Sequence, residues 1–143
     1  MLFVASLVSG CASLAGVQEH YLVCPYDTLW DVSLETLKER PIAIQDKAKG
    51  LIETGWTEVP VARTYGAFNR DIANAKDRTK VSVTLRKMDD VTKVSLGEMR
   101  ERWKFRGGSR LYGWDPADPS EEDTARLMQL LTHKLKERGC TLS

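Results

Sequence analysis

The chain has 143 residues, 42% hydrophobic and 29% charged, with a formal net charge of +1. That is room for one core, in a composition too apolar for a disordered segment and too balanced in charge to attract nucleic acid or any other polyanion as a whole. No window after the first ten residues approaches the roughly 18 consecutive apolar residues a membrane-spanning helix needs.

Residues 1–10 read as a signal segment: the apolar run Leu2 to Val8 ends in the small pair Ser9-Gly10 before Cys11. No Lys or Arg precedes the run, and it is short against the roughly 15 to 30 residues of a full signal, so the expectation is a start lying further upstream. Val8-Ser9-Gly10-Cys11 resembles the lipobox of bacterial lipoproteins. The resemblance implies that Cys11 carries a diacylglyceryl group and becomes the mature N-terminus, an anchor that holds a protein on a bilayer without crossing it. Residue 12 is Ala rather than the Asp that retains many such proteins in the inner membrane, so the same resemblance favours the outer membrane, periplasmic side. The competing reading makes residues 2–8 a buried strand and Cys11 a small core residue.

Residues 11–19 form a tether, of which Ala12 to Glu19 spans at most about 28 Å. The folded domain is expected over residues 20–143. His20 to Pro25 reads as a first or edge strand, and Asp27 caps a helix from about Thr28 to Arg40 with Trp30, Leu34 and Leu37 on its apolar face. "IAIQDKAKGLIETGWTEV" reads as a hairpin turning at Lys47 to Gly50. "TKVSVTLRKMDDVTKVSL" reads as a second, turning at Asp89-Asp90. Pro60 to Arg78 and "GGSRLYGWDPAD" read as long loops. Asp118 is the expected N-cap of a last helix with Thr124, Met128, Leu131 and Leu135 buried and Gly139 at its end. The order strand-helix-hairpin-hairpin-helix predicts an α+β fold, an antiparallel sheet of about four to five strands packed against two helices.

"YDTLWDVSLETLKE" followed by "IQDKAKGLIETGW", with Gly50, Leu51, Ile52, Thr54 and Trp56 in one strand, resembles the BamC (NlpB) family of outer-membrane lipoproteins. The resemblance implies a helix-grip fold and an accessory role in the machinery that inserts β-barrels. That family has two such domains and a long partner-binding N-terminal segment, so its partner contact does not carry over to a single domain on a short tether.

Catalytic signatures are missing from the sequence. There is no G-x-S-x-G, no H-E-x-x-H and no phosphate-cradling glycine loop, so the expectation is a non-enzyme without cofactor or metal. Asp27, Asp31 and Glu35 make an i, i+4 ladder read as a solvated helix face. Cys24 and Cys140 are left as a disulfide candidate in an exported compartment, closing a loop of roughly a hundred residues or more. Free thiols and a zinc site with His20 and His133 are the alternatives. In "MRERWKFR", alternation places Arg100, Arg102, Lys104 and Arg106 on one side of a strand and Met99, Trp103 and Phe105 on the other. The basic side is either a solvated face or a docking face for an acidic protein or lipid headgroups. Two functions follow: a lipid-anchored domain that binds an envelope protein, or a small-molecule or lipid-binding module with Trp56, Tyr65, Phe68 and Trp114 lining a cavity under the long helix.

Overall fold

The computed structural model describes residues 16–60, 64–65, 70–71, 76–105 and 111–143; the signal-like segment and Cys11 lie outside them. Ten strands and two helices follow one another as β1 (Val17–Val23), α1 (Tyr26–Thr36), β2 (Ile42–Asp46), β3 (Leu51–Thr54), β4 (Thr57–Pro60), β5 (Thr64–Tyr65), β6 (Arg70–Asp71), β7 (Lys76–Met88), β8 (Val91–Phe105), β9 (Tyr112–Ala117), α2 (Glu121–Glu137) and β10 (Thr141–Leu142). The fold is α+β as expected, but the antiparallel sheet has eight strands instead of four to five. β5 and β6 form a separate two-stranded ladder inside the stretch expected to be a long loop.

The extra strands fill gaps in a simple frame. The path runs β10-β1-β8-β7-β3-β2. β7 and β8 pair from Asp77↔Arg102 to Met88↔Val91, a hairpin of 13 and 15 residues that forms the spine. β3 covers one end of β7's free edge and β4 the other, because the returning strand expected from Leu51 to Val59 breaks at Gly55-Trp56, where the Gly55 N–H donates to the Pro41 carbonyl at 2.8 Å. β8 is flanked in the same way by β1 at Thr92 to Gly97 and by β9 at Arg100 to Phe105. β1 is no edge strand: β10 pairs with its last two residues.

Both helices lie on one face of this sheet. Inward residues alternate as Val81, Val83 and Leu85 on β7 and Val94 and Leu96 on β8. They pack with Leu22, Ile52, Leu29, Trp30, Val32, Leu37, Met128, Leu131 and Leu135 as one core. α1 begins earlier than expected, directly after Pro25, whose carbonyl accepts from Leu29 N–H; Asp27 sits in the first turn and pairs with Lys47 at 2.9 Å. It ends at Thr36 because Ser33 and Thr36 turn their hydroxyls back onto the Leu29 and Val32 carbonyls, a local competition with the helix ladder, and Pro41 blocks continuation. α2 is capped by Ser120, which accepts from Asp123 N–H at 3.2 Å, two residues later than the expected Asp118. Its buried stripe is Thr124, Met128, Leu131 and Leu135, the period-3.6 face read from the sequence.

Two glycines are structural. Gly50, at φ +68, turns the β2–β3 hairpin where a Cβ would clash with the Leu85 carbonyl oxygen. Gly139, at φ +84, follows α2 and lets the chain return toward β1. There Cys140 is bonded to Cys24, with Cα atoms 4.9 Å apart, so the disulfide ties the end of β1 to the end of α2.

Candidate functional site

The hydrophobic alternation of the spine changes chemistry at one end. Val81 stands opposite Glu98, Thr79 opposite Arg100, and Asp77 opposite Arg102, all on the helix-covered face. Here the expected docking strand is turned. Arg100 does alternate with Met99 and Trp103, but it is in phase with Val94 and Leu96 and therefore points inward, its side chain 9% exposed. Its guanidinium donates to Asp77 at 2.8 Å, Glu98 at 2.7 Å and Asp123 at 2.8 Å, and Arg102 donates to Asp77 at 3.0 Å. Burial opposes the charge on Arg100, but the hydrogen bonds to Glu98 and Asp77 outweigh it and hold the guanidinium above its ordinary range. Asp77 and Glu98 are each 1% exposed at the side chain. Two of the arginines read as a solvated or a docking face are therefore engaged in ion pairs within the domain. Lys104 is exposed, and Arg106 lies outside the described residues.

This network closes the helix end of the fold. Ser120 N–H, at the start of α2, donates to Glu98 at 3.1 Å, and Asp123 of the first turn reaches Arg100. A built-in carboxylate thus meets the partial positive charge of the helix N-terminus. Beside it, Arg40, Val59, Arg100, Asp123, Arg126 and Leu127 line a cavity of about 360 Å³.

The opposite face of the same end carries the aromatics. Trp103 and Trp114 are direct cross-strand partners with ring centroids 5.2 Å apart, and Trp103 and Tyr112 stack at 6.0 Å. Arg78 lies between Trp56 and Trp114, 4.6 and 4.5 Å from their centroids, while it also donates two hydrogen bonds to Glu101 at 2.6 and 2.8 Å. Lys76 covers Trp103 and Trp114 and pairs with Glu58; Lys80 covers Trp56 and pairs with Glu53. Met99, on the same face, is 61% exposed, and Tyr112 is 47% exposed. Trp56 and Trp114, expected to line a cavity under a helix, are thus brought together on the helix-free side. The side chain of Tyr65, and Phe68 altogether, lie outside the described residues.

Sequence reasoning missed Asp77, Glu98 and Asp123 as partners of the basic strand, and Lys76 and Arg78 as partners of the tryptophans. A signal for the first set exists. Asp77 and Glu98 fall in phase with the apolar alternation of Val81 to Leu85 and Val94 to Leu96, where a charge demands an opposite charge.

The zinc alternative is overturned, since bonded sulfurs of Cys24 and Cys140 are not thiolate ligands, and among the described residues no group of three or more His, Cys, Asp or Glu is placed to hold a metal. None of the helices among the described residues is long and apolar enough to cross a membrane. Comparison of the sequence with protein-family models gives no match, and comparison with curated proteins gives none either.

Proposed function

We propose that this chain is a lipid-anchored, non-catalytic binding domain on the periplasmic face of the outer membrane, which docks an envelope protein, an accessory to β-barrel assembly or envelope maintenance. The observation that carries the binding role is the aromatic face of Trp56, Trp103, Tyr112 and Trp114 with exposed Met99 beside it. Tryptophan, tyrosine, methionine and arginine are the residues that enrich protein interfaces and their energetic centres. The charge pattern favours a protein over an anionic surface: Lys76, Arg78 and Lys80 each already face a glutamate on this side of the sheet. The Cys24–Cys140 bond supports an oxidising compartment, and Val8-Ser9-Gly10-Cys11 supports the anchor.

The test places a photo-crosslinking residue at position 99 and, as a control, at Gln129, an exposed position of α2. Irradiation in intact cells is expected to give one discrete protein adduct from position 99, none from position 129, and loss of the adduct when Trp103→Ser is added. Identical adducts from both positions, or none from position 99, overturns the docking reading.

A further inference from the structure

We infer that the cavity lined by Arg40, just beyond α1, and by residues of β4, β8 and α2 is a binding site for a small organic anion, a carboxylate or phosphate monoester with a short apolar body. The inference is independent of the aromatic docking face, which lies on the other side of the sheet.

The cavity of about 360 Å³ falls within the roughly 300 to 1,000 Å³ range of small-molecule sites. Three of its six lining residues are arginines and one is an aspartate. The arginines are not equivalent. Arg100 is committed to Asp77, Glu98 and Asp123, and Arg126, largely in solvent, pairs with Glu122 at 3.1 Å and Asp123 at 3.4 Å. Arg40 is different: among the described residues its guanidinium has one partner, the Thr79 hydroxyl at 2.9 Å, and no carboxylate. A half-buried guanidinium carries five N–H donors in a planar fork, so one neutral acceptor leaves most of its hydrogen-bonding capacity and its whole charge uncompensated. Among the described residues, carboxylates pair with its arginine neighbours at this end and none pairs with Arg40. A ligand anion completes that set.

Val59 and Leu127 define the rest of the ligand. They add apolar surface to a largely cationic lining, which suits an anion carrying a short hydrocarbon or aromatic body and penalises a fully hydrated inorganic ion. Asp123 opposes binding, since its carboxylate shares the lining. Its charge is offset by Arg100 and Arg126, both within ion-pairing distance.

Titration calorimetry on the full chain with hexanoate, hexyl phosphate and, as the neutral control, hexanol tests this. Saturable one-to-one binding of either anion without comparable binding of hexanol is expected, and which anion binds identifies the head group. Arg40→Gln should weaken that binding by about ten- to a hundred-fold, the range for a lost charge-assisted hydrogen-bonded pair, with the melting temperature nearly unchanged. Asp123→Asn should tighten it, an increase that general damage to the fold does not produce. The inference is overturned if neither anion binds saturably, if hexanol binds as well as the anions, or if Arg40→Gln binds like the parent chain.

Discussion

At the scale of single residues, Asp77 decides how the charged end of the sheet is held. It is buried and accepts from both Arg100 and Arg102. Replacing it by asparagine keeps the shape but leaves two guanidinium groups facing a neutral amide in a place largely closed to water. Leaving a buried charge without its partner costs about 3 to 5 kcal/mol, an upper bound here because Arg100 keeps Glu98 and Asp123 and Arg102 is partly in solvent. Asp77→Asn is therefore expected to lower the denaturant midpoint sharply. Lys104→Glu, on the exposed continuation of β8, should move stability by only about 0.5 kcal/mol. Urea melts of the two variants check this, and equal midpoints would refute the burial of the network. Arg102 belongs with Asp77, not with Lys104: a glutamate there would set a second carboxylate against Asp77.

Secondary-structure elements are joined here by one covalent link. β10 adds only Thr141 and Leu142 to β1, too little to hold a chain end by itself, yet Cys140 immediately before it is bonded to Cys24 immediately after β1. The bridge spans 116 residues of sequence, and in the chain-entropy model a loop of that order contributes about 4 to 5 kcal/mol by restricting the unfolded state. Intact mass measured with and without reductant should differ by two hydrogens. Reduction, or the double change Cys24→Ala and Cys140→Ala, should cost about 2 to 5 kcal/mol and loosen α2's end from β1 first. No mass change would mean free thiols and would remove the support for an oxidising compartment.

For the whole molecule, the two faces of the charged end differ in chemistry: the arginine-lined cavity lies on the helix-covered side, and the tryptophans lie on the other. β1 begins opposite Gly97 and runs antiparallel to β8, so the chain enters the sheet from the side on which β8 continues toward Trp103. Cys11 and Val17 are six residues apart in sequence, a reach of at most about 20 Å. An acylated Cys11 would then keep the aromatic end close to the bilayer and to whatever membrane protein lies there. Cys11→Ser is expected to release the protein from membranes in a high-salt wash. Retention of that variant in the membrane fraction would defeat the anchored reading while leaving the position 99 crosslink as a separate question.

What was legible in the sequence followed from local rules. The α2 stripe of Thr124, Met128, Leu131 and Leu135, the Asp89-Asp90 turn and the apolar alternation of Val81 to Leu85 need only near neighbours along the chain, and the antiparallel sheet under two helices follows from them. β9 was hidden, because Gly113 and Pro116 read as loop chemistry and the strand forms through Trp114 against Trp103, a partner that β8 supplies from a distance. Cys24 and Cys140 were legible as candidates, and their union waited on the return of α2 toward β1. The basic strand is the instructive case. Met99, Trp103 and Phe105 suggested an apolar, inward side, whereas strand phase carries on unbroken from Val94 and Leu96 and turns Arg100 inward. Alternation by itself determined which residues share a side. Which side meets the helices was decided only by the tertiary structure, because the carboxylates of Asp77, Glu98 and Asp123 that make a buried arginine tolerable come from three different elements.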